Sequence, residues 1–413
     1  MRTPCVARVA VPAHRSDSLD GPRRPPRAVT GYFHMVATRA PHDDTAPPPG
    51  LLGLFSVGST RRPAPPPGYA YSCEDASLLK PLYYRLFVNP LAAVAPARLR
   101  ANDFTFVSQL FALLPAFIGI ASTRTDLPGW VLAVVAPLGY LGYIVLDHLD
   151  GTHARKTGTS SPLGELVDHW CDAWNAPLLT YACGLNWNAS PLLASALGFV
   201  TGLALCLAYE EQRITGKMRL DALGSSEALT GMGLSMILMG IVGKEVAVGI
   251  HLPFGVSLAL ALQMVSLVGS GGAIAMALVR GGPRLFAGVW PYAAGAGIVM
   301  VWVERGLDLR VAPFMMAALS ATVAGRIVIE RTTGLRVRVD YVGLVLLVLG
   351  LVLALVGPGW GMTRVAAWVV CAVLLARPCA DFLWAVLVLR RFVRKGELLS
   401  LVTGGEEAPP SEG

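Results

Sequence analysis

The sequence predicts an all-α polytopic membrane protein, and three observations carry that prediction. Of its 413 residues 54% are hydrophobic and 15% charged, against roughly 25% charge in an ordinary soluble chain. The apolar residues gather into runs near 104–122, 130–146, 190–209, 227–249, 254–279, 285–303, 311–329, 341–356 and 365–390, with a shorter, more polar run over 173–186. Each approaches the ~20 residues that cross ~30 Å of hydrocarbon, so about ten transmembrane helices are expected. The third observation is the placement of Lys and Arg. With a cytosolic N-terminus, ten spans put Arg155, Lys156, the basic groups at 213–219 and 331–338, Arg280, Arg284 and the 390–395 cluster on the cytosolic side. The opposite side receives only Arg124, Lys244, Arg305, Arg310 and Arg364, which fits the positive-inside bias.

Residues 1–70 are rich in Pro, Arg, Ala and Gly, a composition that cannot bury a core and reads as a disordered tail. The Arg-rich start also fits an organellar transit peptide, but Asp17, Asp20 and the prolines spoil an amphipathic helix, so an untargeted cytosolic tail is the reading. Residues 77–100 mix Leu, Tyr, Phe, Lys and Arg in the manner of an amphipathic helix lying in the membrane interface. The membrane domain then fills 71–395, with loops too short to fold separately, and 396–413 forms a short acidic disordered tail.

The net charge of +7 invites a nucleic-acid partner. The loops and the N-terminal tail account for the surplus, and no basic stripe with interleaved aromatics occurs, so nucleic acid is rejected as a partner. Seven cysteines at 5, 73, 171, 183, 206, 371 and 379 show no metal or disulfide spacing and read as small apolar fillers.

The chemistry is concentrated in Asp147-His-Leu-Asp150-Gly151-Thr-His-Ala154-Arg155, followed by Gly164, Asp168 and Asp172. Ionisable groups within a bilayer cost roughly 3 kcal/mol or more each at its centre, so a cluster there implies function. Asp147 and Asp150 are three apart at the end of one span, Asp168 and Asp172 four apart at the start of the next, and each pair shares a helix face. Two such ends meeting gather four carboxylates around one or two hard cations, Mg²⁺ or Mn²⁺, since no Cys or His set competes. Gly151 lets a phosphate approach the backbone closely, Arg155 offers bidentate donors to it with Lys156 as an auxiliary charge, and Gly164 lets the second helix approach. A metal-bridged diphosphate undergoing in-line displacement suits such a site. His169, beside Asp168, is a candidate for taking a proton from an attacking hydroxyl, with Asp172 the competing base; His148 and His153 read as interfacial.

These residues match D-x2-D-G-x2-A-R-x8-G-x3-D-x3-D at all its fixed positions, and the chain thereby resembles the CDP-alcohol phosphotransferase family. Thr159-Ser-Ser-Pro-Leu-Gly164-Glu-Leu166 with Asp168-His169 is similar to the eukaryotic choline/ethanolamine phosphotransferase branch. So are Asn102-Asp-Phe-Thr105 at the start of the first span and the segment from Glu210 through Gly224 to Glu227. The resemblance implies a ten-helix, dimeric enzyme of the endoplasmic reticulum or Golgi with its site open to the cytosol. It would transfer phosphoethanolamine or phosphocholine from CDP-ethanolamine or CDP-choline to diacylglycerol, releasing CMP. It further implies that Asp147, Asp150, Asp168 and Asp172 hold the metals, that Asn102, Gly151, Ala154, Arg155 and Gly164 meet the CDP-alcohol, that His169 accepts the proton and that Glu227 orients it. Thr152-His153 replaces the usual Lys-Gln, and Trp170 stands where Gly is common, either narrowing the cavity or stacking on cytosine.

Two rivals stand against this reading. A CDP-diacylglycerol-dependent phosphatidyltransferase of the same superfamily is disfavoured by the Pro-Leu-Gly-Glu-Leu-x-Asp-His run. A cation transporter prefers midplane sites on broken helices. Elsewhere, Arg377 and Asp381 are read as pairing along one helix face, Asn188-Ala-Ser190 as an unused glycosylation triplet, and the many glycines over 231–300 as helix-packing positions.

Overall fold

The computed structural model describes residues 73–221, 224–334, 337–356 and 360–394; the expected tails at 1–70 and 396–413 fall outside them. The first described residues form a short strand, β1 (Cys73–Asp75), paired in parallel with β2 (Met218–Leu220). Hydropathy gave no hint of this ribbon, because three-residue strands have too short a period to register. It fixes the segment before the first helix to the loop that follows the sixth.

Helical turns then run through α1 (Lys80–Tyr83), a π turn over Tyr84–Val88 and α2 (Asn89–Val94). Leu78, Leu82, Leu86 and Val94 are exposed on one side, while Tyr83, Val88 and Ala92 are buried on the other. That is the two-faced helix expected over 77–100, but it stops at Val94: Ala95 turns to extended backbone and the chain reaches the next helix through Pro96.

The bundle proper comprises α3 (Ala101–Ala121), α4 (Ala136–Thr157), α5 (Pro162–Asn186), α6 (Pro191–Thr215), α7 (Ser225–Val242), the short α8 (Lys244–Gly249), α9 (Leu258–Gly281), α10 (Phe286–Glu304), α11 (Ala312–Thr333), α12 (Tyr341–Val356) and α13 (Trp360–Arg394). Eight of these helices are long and apolar enough to cross a membrane. The 16-residue α12 is a shorter apolar helix and the carboxylate-bearing α5 is more polar, so eight spans qualify among the described residues against the about ten expected.

Small residues place α11 at the centre. Its Ala, Gly, Ser and Thr residues let neighbours approach on every side, and 94% of its apolar window is buried against α5, α6, α10 and α13. At the opposite extreme α3 presents Phe106, Leu110, Leu114 and Phe117 outward, a stripe suited to lipid. Its other side packs along both α4 and α5. Two α4 glycines make this approach possible: a Cβ at Gly139 would meet Pro115, and one at Gly142 would meet the Phe111 ring, both under 3 Å.

Two sequence expectations are corrected by packing. Arg377 and Asp381 do not pair with each other: Arg377 binds Asp340, and Asp381 accepts two 3.1 Å hydrogen bonds from Arg326 on α11. Each buried charge takes its partner from elsewhere in the fold, Asp340 from the segment before α12 and Arg326 from α11, so neither is left uncompensated. The glycines over 231–300 also divide. Gly240, Gly281, Gly288 and Gly295 are tightly packed, whereas Gly231, Gly269, Gly271, Gly272 and Gly297 have nothing within 4 Å of where a Cβ would stand.

Candidate active site

The motif forms a helical hairpin. Gly158 adopts the left-handed conformation (φ +67°) that ends α4, and Ser161 caps α5 by accepting from the Gly164 amide at 3.1 Å. Helix α4 therefore continues through Arg155 to Thr157, and α5 begins at Pro162 rather than near 173. The carboxylates do not sit at the helix ends as spacing suggested. Asp147 lies about 15 Å along α4 from Thr157, and Asp172 about the same distance into α5 from Pro162, at ~1.5 Å per residue.

Asp147, Asp168 and Asp172 come together there, offering one oxygen each within 4.8 Å of one another. Tyr143 donates to Asp172 at 2.6 Å. Asp150 takes a different position. It is buried and accepts a 2.5 Å hydrogen bond from Thr105 of α3, close enough to Asp147 and Asp168 to feel their charge but outside the trio. The structure thus gathers three of the four predicted carboxylates and holds the fourth beside them from α3. Nearby, Asn175 of α5 donates to Gln109 of α3 at 2.8 Å.

The trio fits a divalent cation. Asp147 Oδ1 is buried with no hydrogen-bond partner among the described residues, and an orphaned carboxylate oxygen facing two other carboxylates is costly unless a positive charge joins them. The donors are all oxygen, the choice of hard cations.

These carboxylates line a cavity of about 1130 Å³, and Asn102, Gly151, Ala154, Arg155, Gly164, His169 and Glu227 line it too. Arg155 is exposed at the mouth, its Nη2 donating to Thr152 at 3.2 Å, and a Cβ on Gly151 would come within 3.3 Å of its guanidinium. Asn102 faces Gly164 across the α3–α5 contact, 3.6 Å from where a Cβ would stand. Lys156 does not line the cavity: its ammonium binds the Ala92 carbonyl and holds the C-terminal end of α2. One residue beyond Arg155 on a helix is a rotation of about 100°, which points Lys156 at α2. His148, which also lines the cavity, bonds Ser226 Oγ at 3.2 Å, and His153 bonds the Leu99 carbonyl at 3.0 Å.

His169 is buried, stacked on Tyr209 with ring centroids 4.8 Å apart, its Nε2 3.9 Å from Asp168 Oδ2. Its Nδ1 lies 3.7 Å from Glu165 Oε1, whose carboxylate also pairs with Arg331 of α11. Glu165 thus lies beside His169 along with Asp168, whereas the hydrogen bonds of Glu227 run elsewhere. Glu227 accepts from the Gly224 amide at 2.9 Å, and from Ser77 Oγ and the Leu79 amide at 2.8 Å each, so it caps α7 and fastens the segment before α1. Glu165 stood in the sequence four residues before His169, the spacing that puts two side chains on one helix face. That spacing was the available signal.

Trp170 does not line the cavity. It stacks on Phe382 at 4.2 Å with its ring against Gly325, on the side of α5 turned to α11 and α13. Gly325 has no Cβ, and its absence makes room for the indole.

Residues 98–268 match the sequence pattern of the CDP-alcohol phosphatidyltransferase family. The matched stretch is less than half of the chain. It is 30% identical over 187 residues to choline/ethanolaminephosphotransferase 1 of Saccharomyces cerevisiae, covering 43% of this chain and 46% of that one. With ethanolaminephosphotransferase 1 of Homo sapiens it shares 35% over 116 residues, 26% of this chain and 29% of that one. With cholinephosphotransferase 1 of Danio rerio it shares 28% over 182 residues, 42% and 47% of the two chains. The chain therefore spans less than half the length of these curated relatives. The matched stretch holds α3 to α7 and every carboxylate of the site.

Proposed function

We propose that this protein transfers phosphoethanolamine or phosphocholine from the CDP-alcohol to diacylglycerol, giving the phospholipid and CMP. The observation that carries the reading is the carboxylate trio on a cavity with Arg155 at its mouth and apolar transmembrane helices for walls. A charged donor and a lipid acceptor need both in one space. The resemblance to choline/ethanolaminephosphotransferases supports the choice of donor.

In this reading Asp147, Asp168 and Asp172 hold Mg²⁺ or Mn²⁺, with Asp150 completing a site for two ions. Bound there, the cations would neutralise the diphosphate and stabilise the departing phosphate. Asn102, Gly151, Ala154, Arg155 and Gly164 receive the CDP moiety, Arg155 by bidentate bonds to phosphate oxygens. The acceptor hydroxyl attacks the phosphorus that carries the amino-alcohol, the P–O bond to CMP breaks, and the hydroxyl proton passes to His169 Nε2. Glu165, 3.7 Å from the opposite ring nitrogen, favours the imidazolium that forms by its charge. The site faces the cytosol of the endoplasmic reticulum or Golgi, and the chain works as a homodimer.

The deciding experiment incubates purified protein with diacylglycerol and radiolabelled CDP-ethanolamine or CDP-choline, with and without Mg²⁺. Metal-dependent lipid product is expected with at least one donor, and its absence with both overturns the proposal. His169→Ala is expected to abolish turnover yet keep CDP-alcohol binding. Normal turnover by that variant would remove His169 from its role.

A further inference from the structure

The cavity does not end at the carboxylates. Along α5 it is lined at a helical repeat by Asp168, Asp172, Asn175, Leu179, Cys183 and finally Trp187, so one face of the helix forms a wall along its length. From Asp172 to Trp187 the rise of ~1.5 Å per residue gives a depth of about 22 Å. Another wall is α9, lined from Gln263 up to Arg280, and apart from Val265 its intervening lining residues are small: Ser266, Gly269, Ser270, Ala273 and Ala277. This explains the open space at Gly269.

The shaft has a built floor. The Trp187 indole N–H donates to Ser235 Oγ of α7 at 3.0 Å, and Gln263 Nε2 of α9 donates to the Trp187 carbonyl at 3.1 Å. All three residues are buried and line the cavity. The end of α5, α7 and α9 are thereby tied by hydrogen bonds at the bottom of the channel. A hydrocarbon chain that reached further would separate these groups without replacing their bonds, at the cost of unsatisfied buried polar atoms. A depth of ~22 Å exceeds the ~15 Å that half of a ~30 Å hydrocarbon core offers, enough for a long acyl chain lying extended along α5.

We infer that the Trp187–Ser235–Gln263 floor is a ruler for one acyl chain of the lipid acceptor, making this shaft the determinant of chain-length preference. The inference rests on the proposed lipid-acceptor reaction and extends it to acyl selectivity. Gly269 stands about 9 Å above Gln263 along α9 at ~1.5 Å per residue. A leucine there would enter open space and shorten the shaft, whereas removing the Trp187 ring would deepen it. The two changes have opposite signs, which a general loss of stability cannot imitate.

The test uses the full chain in detergent micelles with the CDP-alcohol saturating, and compares kcat/KM for dioctanoyl-, dipalmitoyl- and diarachidoylglycerol. Gly269→Leu is expected to lower the dipalmitoyl-to-dioctanoyl ratio by about tenfold or more, since methylenes a pocket cannot hold are discriminated on that scale. Trp187→Ala is expected to raise the diarachidoyl-to-dipalmitoyl ratio. A cation-dependent thermal shift reports that each variant is folded; should Trp187→Ala fail to fold, Gly269→Leu decides alone. Wild-type ratios in the folded variants overturn the ruler while leaving the reaction standing. Absence of lipid product from the wild type with every acceptor overturns the reaction itself.

Discussion

Two of the groups of buried charge in this bundle are balanced in opposite ways. Between α11, α13 and the segment before α12, Arg326 meets Asp381 and Arg377 meets Asp340, each acid against a cation of the protein itself. Between α4 and α5, Asp147, Asp168 and Asp172 meet one another, and Asp147 Oδ1 has no partner among the described residues. Both groups are expensive in a bilayer, but only the second leaves its expense uncompensated by the protein. Closed pairs serve architecture; an open trio is built for something that arrives with positive charge.

The largest effect that could break this comparison is on turnover. Asp172→Asn is expected to lower lipid product formation by at least about a thousandfold, the scale of several kcal/mol of transition-state stabilisation. The cation-free protein should be no less stable, because one repelling charge has gone. If Asp172→Asn instead unfolded the chain, the trio would be architectural after all. The converse substitution, Arg326→Ala, strands Asp381 and is expected to destabilise by about 3–5 kcal/mol with turnover per folded molecule unchanged, measured by denaturant titration beside the activity assay.

A smaller effect sharpens the comparison further. Mg²⁺ or Mn²⁺ at a hundredfold excess over its dissociation constant should stabilise the wild type by about 2.7 kcal/mol, read as a rise in Tm. Asp147→Asn should abolish that rise and Arg326→Ala should retain it.

The smallest lies outside the spans. Asp308, between α10 and α11, is held down to about 2 from an ordinary 3.8 by the hydrogen-bonded Arg310 guanidinium. A carboxylate depressed on folding contributes stability that is complete above its unfolded value and lost as pH falls through the folded one. Acid unfolding between about pH 4 and pH 2 should therefore be less steep in Asp308→Asn. An unchanged acid limb would count this pair as inert.

The spans were legible because an apolar run of bilayer length has few places to be buried except a bilayer, and the four motif Asp because their spacing is chemically restrictive. What escaped was whatever depends on rotation about a helix or on partners far along the chain. Lys156 follows Arg155 directly yet turns to Ala92. Glu227 satisfies a helix terminus and the chain before α1, where similarity of pattern had set it beside His169. Trp170 took its place from Gly325 and Phe382, more than a hundred and fifty residues later in the chain. Glu165 lay in plain view at the right spacing, and only contact with His169 gave it precedence over Glu227.

The packing of α3 against both α4 and α5 has a consequence for biogenesis. These three helices are consecutive, so the contacts that bring the carboxylates together span short stretches of chain and cost little loop-closure entropy. The far end of the shaft waits for Gln263, and Glu165 waits for Arg331. A chain emerging from the ribosome therefore gathers the carboxylate trio well before it can close the far end of the shaft, and the order of synthesis is also the order in which the two halves of the cavity form.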